Sequence, residues 1–193
     1  MLLNFESKIS NASGFFAPFF KDEKIKLYGA EGGGTGPEIG NNASRMVGNS
    51  ARDGIMQGFK SRFLVDDDGQ AQKTSSISAG LDYLGISPQL AMLGKTGRIT
   101  FEAIRDNEAL EAVNFFAKNE GILFALESAH AGAAAMKIAK EIYNNNTEAL
   151  NNYKEFLKLG CKVNPVESLK IAGVDLTEEK VYTEAFKEFD SYL

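Results

Sequence analysis

Residues 122–126, Ile-Leu-Phe-Ala-Leu, constrain the fold most tightly: five apolar residues without alternation, set directly between two helical patterns. An apolar run of this length with no polar face predicts a strand covered on both sides. Before it, "DNEALEAVNFFAKNEG" repeats Ala109, Val113, Phe116 and Ala117 at helical spacing, with Asp106 as the expected N-cap and Gly121 as the stop. After it, "SAHAGAAAMKIAKEIY" is an alanine-rich helix with Ser128 as its expected cap. Upstream, "KIKLYGAE" reads as a strand ending at Glu31, followed by "GGGTG". "SRFLV", "DDDG" and "QAQKTS" read as a hairpin turned by Asp68-Gly69. Strands alternating with helices predict an α/β sheet. In such sheets ligands collect at the carboxyl ends of strands, where this reading puts Glu31 and Glu127.

Composition narrows the function classes. The 193 residues carry 21 basic and 26 acidic side chains, a formal charge of −5. That balance argues against nucleic acid as a partner, because phosphate binding calls for a basic face. One cysteine, Cys161, makes neither an internal disulfide nor a cysteine-rich zinc site. "MLLNFESK" lacks a basic leader and no stretch approaches membrane-spanning length, so no signal peptide and no membrane partner are expected. A cytoplasmic location is the expectation.

Several local motifs fail on spacing. Gly94-Lys95-Thr96 would need a glycine at position 89 to form a phosphate loop, and Gln89 stands there. A surface turn is expected instead. "GAEGGGTGPEIG" misses the third glycine of a dinucleotide fingerprint and reads as a plain turn or an active-site rim. Glu127-x-x-His130 is a single copy in a chain with one histidine, too few ligands for a metal centre, and His130 has no serine or cysteine partner by motif for a nucleophilic triad. "SNASGFF" (10–16) opens an aromatic-rich helix, either as an ordinary cap or as a small anion site.

Beyond Tyr143 the alternation stops. "NNNT" interrupts the pattern, and "TEALNNYKEFLKLG" reads as a separate helix. Asn164-Pro165 and Thr177 open two more. The expected organisation is an α/β region over residues 1–143 and a helical tail over 144–193.

Taken together, "SNASGFFAPF", "KLYGAEGGG", "DDDGQ", "SISAGLDY", "SPQLAMLGKTGR" and "DNEALEAVNFFAKNEGILFALESAHAGAAAMK" resemble, in order and spacing, the C-terminal part of the tryptophan synthase β chain family over residues 9–142. The resemblance implies an incomplete three-layer α/β sheet of the fold-type II pyridoxal phosphate kind. It also implies a β-replacement reaction, serine plus indole to tryptophan. Ser10, Asn11 and Ala12 would end the cofactor's phosphate loop, and Glu127 would lie beside its ring. Asp82 would face the substrate, and the carbonyls of Tyr83 and Gly85 would face a monovalent cation. Residues 153–193, with "AGVDLT", resemble the C-terminal end of oligoendopeptidase F-type metallopeptidases, without the zinc-binding helix of those enzymes.

The sequence departs from the family in ways that shape the expectation. Ser7, Lys8 and Ile9 stand where the family has phosphate-loop glycines, and Ser87 and Leu90 where it has glycine and histidine. No lysine matches the family's Schiff-base position. The expectation is a β-synthase-like chain, inactive alone. The alternative is a non-catalytic interaction or structural module, a fusion or designed composite, whose uncovered sheet recruits a second copy or a partner chain.

Overall fold

Leu27 and Ala30 lie three residues apart on one strand, so their side chains leave it on opposite faces; each is buried in a different hydrophobic cluster. That parity organises the fold. The computed structural model describes residues 2–5, 11–49 and 51–158. The described elements are β1 (Leu2–Phe5), α1 (Asn11–Phe16), β2 (Leu27–Gly34), β3 (Ala51–Met56), β4 (Phe59–Leu64), α2 (Pro88–Lys95), β5 (Ile99–Arg105), α3 (Asp106–Glu120) and α4 (Leu126–Lys158). A short 3-10 turn at Ala17–Phe19 follows α1.

β1, β2 and β5 form a parallel sheet with β2 in the middle, Leu27 opposite both Leu2 and Ile99. On one face Ala12 and Phe16 of α1 and Leu90, Ala91 and Leu93 of α2 pack with Leu27 and Ile99. On the other, Ala30 and Ile104 meet Ala109 and Ala112 of α3 and Ala129, Ala133 and Ala134 of α4. The alanines let helices approach closely, and Phe116 and Phe124 fill the remaining space. The α/β class expected from the sequence holds in this mixed arrangement of small sheets and four helices. β3 and β4 form a separate antiparallel hairpin through Gln57 and Gly58, both at positive φ.

Several local expectations are corrected. Residues 122–126 form no strand: Leu123 is 79% exposed, and the sheet is completed by β5. Gly121 does stop α3, at φ 68°, and the chain turns straight into α4. Glu127 therefore lies in the first turn of a helix, and α4 starts at Leu126 rather than at a Ser128 cap. Arg105 holds the N-cap position of α3, and Asp106 is its first residue. β2 runs on through the glycines to Gly34, so Glu31 lies mid-strand. β4 pairs with β3, whereas "QAQKTS" contributes one bridge, Val65 to Ala71, around the expected turn at Gly69. "NNNT" does not interrupt α4.

The chain divides into two compact units, residues 1–136 and 137–193. The two expected tail helices after Asn164 and Cys161 lie outside the described residues.

Candidate functional site

The segment from Ser76 to Gly85 has little regular structure of its own, so side chains from elsewhere fix its path. Two of them do most of this. Glu127 reaches back from α4, and its Oε1 accepts the Gly80 amide at 2.9 Å. A Cβ on residue 80 would lie 2.7 Å from that oxygen, so glycine here allows the contact. The backbone amide of Glu127 itself, the Ser78 hydroxyl and the Gly80 amide together hold its carboxyl below the ordinary carboxylate range. A lowered folded pKa adds stability above the unfolded value, which is lost as pH falls through the folded one. We expect thermal stability to drop less on acidification from about pH 5 to 3 in Glu127→Gln than in the parent chain. Partial exposure limits the difference to about 1 kcal/mol or less, readable as a pH series of thermal midpoints.

Arg45 holds the far end. It is buried, and its Nη1 donates to the carbonyls of Ala43, Leu81 (3.2 Å) and Tyr83 (3.0 Å). Its Nε lies 3.2 Å from Oε1 of Glu31, which is fully buried. The Glu31 carboxylate also accepts the amides of Arg45 (2.9 Å), Met46 (2.8 Å) and Val47 (3.3 Å) and the Ser44 hydroxyl (3.0 Å). This is how the interior tolerates the pair: every oxygen of the carboxylate is hydrogen-bonded and the two charges offset each other. Tyr83 is held at a second point, its hydroxyl donating to Gln57 in the turn of the β3–β4 hairpin.

The expected site residues are thus only partly assembled. Glu127 meets the segment two residues before Asp82, and Asp82 itself is exposed. The Tyr83 carbonyl faces a guanidinium. Gly85 is buried in a bridge to Phe63. Ala12 is fully buried in the core between α1, α2 and the sheet. Ser10 and the side chain of Asn11 lie outside the described residues. His130 is buried, with Nδ1 2.7 Å from the Leu126 carbonyl, and no group of three metal-ligating side chains occurs among the described residues.

At the carboxyl ends of β2 and β5 a cavity of about 180 Å³ is bounded by Gly33, Asn42, Ser44, Val47, Ala103 and Arg105, among others. It has the position expected of a ligand site in a parallel sheet. Its volume falls below the range of roughly 300–1,000 Å³ usual for cofactor pockets. Every lysine whose side chain is described is exposed, and Lys95 pairs with Asp53 at the surface. The described residues therefore do not by themselves make a pyridoxal phosphate site: no lysine lines this cavity, and the Glu127 carboxylate is engaged with Gly80.

Arg45, Ser44 and Asn42 were not foreseen from sequence. "NNASRMVG" has no periodicity, and the one available signal was a lone arginine among small and apolar residues.

Over 133 residues, 69% of its length, the chain is 54% identical to the tryptophan synthase beta chain of Helicobacter hepaticus. That part of the chain has a tryptophan synthase β-like origin. The tryptophan synthase beta chains of Xylella fastidiosa and Xanthomonas oryzae pv. oryzae match the same length at 45% and 44% identity. The chain spans about a third of the length of these curated relatives, 32% in each case. No protein-family profile matches it. The likeness of the tail to oligoendopeptidase F-type enzymes finds no support among these relatives. No helix among the described residues is long and apolar enough to cross a membrane.

Proposed function

We propose that this chain carries the substrate-loop portion of a pyridoxal phosphate-dependent β-replacement enzyme of the tryptophan synthase β kind, converting serine and indole to tryptophan, and that its 193 residues do not perform the reaction unaided. The observation that carries the reading is the Glu127–Gly80 contact. A carboxylate that the family resemblance would put on the cofactor side holds in place the loop that the resemblance would put on the substrate side. In this reading Asp82 presents its carboxylate to substrate from the exposed side of that loop. Ser10, Asn11 and Ala12 close the phosphate end when the remainder of the site is supplied. The cofactor, when bound, supplies the electron sink. The anchoring amine comes from other residues, because every lysine whose side chain is described is at the surface. Such chemistry belongs in the cytoplasm.

The test is a titration of the purified chain with pyridoxal phosphate, followed by assay with serine and indole. We expect no protein-dependent absorbance band and no tryptophan. Adding the separately produced N-terminal two-thirds of the Helicobacter hepaticus relative should restore both. Turnover by the chain alone would sink the proposal.

A second reading, an interaction module or homo-oligomer, draws on a different observation. Leu110 and Phe115 of α3, with Ile122 and Leu123 after it, stay 43–79% exposed. Large apolar side chains left exposed in this way can be covered by another chain.

A further inference from the structure

Three backbone carbonyls from two distant segments, Ala43, Leu81 and Tyr83, converge on a single nitrogen, Nη1 of Arg45. Converging carbonyl dipoles with no charge of their own are the donor set that suits a weakly hydrated monovalent cation. Tyr83 supplies one of the two carbonyls that the family resemblance assigns to such an ion. Here those oxygens already have a positive charge. The guanidinium is permanently ionised, its side chain is 3% exposed, and Glu31 lies 3.2 Å away as counter-charge. Glu31 is in turn held by three amides and a hydroxyl, so the pair cannot swing out without breaking those bonds. A second cation at the same oxygens would lie within hydrogen-bond distance of the first in a low-dielectric interior, where repulsion is strong.

We infer that Arg45 is the resident cation of this carbonyl cluster: a side chain has taken the place of an exchangeable monovalent ion in holding the Leu81–Tyr83 loop. The loop's path is therefore independent of which salt is present. The inference needs no catalytic activity and stands or falls separately from the proposed reaction.

The experiment measures thermal midpoints of the full chain at equal, low ionic strength in potassium, sodium, caesium and ammonium chlorides, with choline chloride as the bulky control. A structural cation present at about a hundred times its dissociation constant would raise the midpoint by roughly 5–10 °C. The parent chain should show no such difference between the small cations and choline. R45M should melt about 10 °C lower in choline, because it empties the cluster and leaves Glu31 uncompensated. Potassium or ammonium should recover several degrees of that loss, since the carbonyls and Glu31 then attract an ion. R45K, which keeps a compact charge, should fall between the two and respond less to salt. A potassium- or caesium-dependent rise in the parent chain would overturn the inference, as would an R45M midpoint indifferent to cation. If R45M does not fold, the parent series and R45K decide.

Discussion

Replacing Glu31 by alanine should destabilise the fold by about 3–5 kcal/mol, the usual cost of leaving one member of a buried ion pair alone. Three losses coincide. Arg45 keeps its positive charge in the interior and loses the carboxylate 3.2 Å from its Nε. The amides of Arg45, Met46 and Val47 lose their acceptor. The Ser44 hydroxyl loses its partner oxygen, leaving the Val47 carbonyl at 3.3 Å. Glu31→Gln is the informative control, because its amide oxygen can still accept from the backbone while the charge is gone. It should cost clearly less than alanine, and the difference reports the amide cradle. Urea midpoints for the three chains check this. A Glu31→Ala chain within about 1 kcal/mol of the parent would show that the pair contributes little beyond offsetting its own desolvation.

The second large effect is expected at Gly34, where β2 leaves its register with β5. Its φ is +53°, and a Cβ built there would lie 2.0 Å from the Asn41 carbonyl oxygen and 2.6 Å from that of Ser75. Both are backbone atoms, so no side chain can swing away. Gly34→Ala combines a left-handed conformation, about 1–2 kcal/mol, with overpacking of about 1–3 kcal/mol, for a loss of about 3 kcal/mol or more. The displaced strand would push on the turn that leads to Ser44 and Arg45, so the grip on Glu31 should loosen too. Gly48→Ala serves as the control. Its φ is +86° with nothing within 4 Å of a new Cβ, so only the conformational part, about 1–2 kcal/mol, should appear. Equal losses at the two positions would remove the steric explanation for Gly34.

Residues 122–126 show where sequence reasoning goes wrong. Their apolar run fits a two-sided strand equally well as a short link whose phenylalanine packs inward. Phe124 packs tilted against Phe116 with ring centroids 4.8 Å apart, while its neighbours face outward. The place beside β2 fell instead to β5, whose "ITFEAIR" carries a glutamate and an arginine and has no continuous apolar signature. Periodicity reports which faces of a segment can be buried; which segment wins the place depends on competitors elsewhere in the chain.

What the amino-acid order determined alone was local. Helix α3 and its end at Gly121, the β2 strand, the turn at Gly69 and the α/β class all follow from spacing and backbone preference over a few residues. The family likeness is also legible there, because residue identity in order needs no contacts. Tertiary structure alone decided that Glu31 is a buried anchor rather than a strand-end acid. It likewise decided that Arg45 meets carbonyls 36 and 38 residues away, and that Glu127 spends its charge on Gly80, 47 residues distant. Those partners are chosen when loops close and water leaves: an ionised group in the interior must take whatever counter-charge or dipole the packing brings to it, and no short-range pattern encodes that choice.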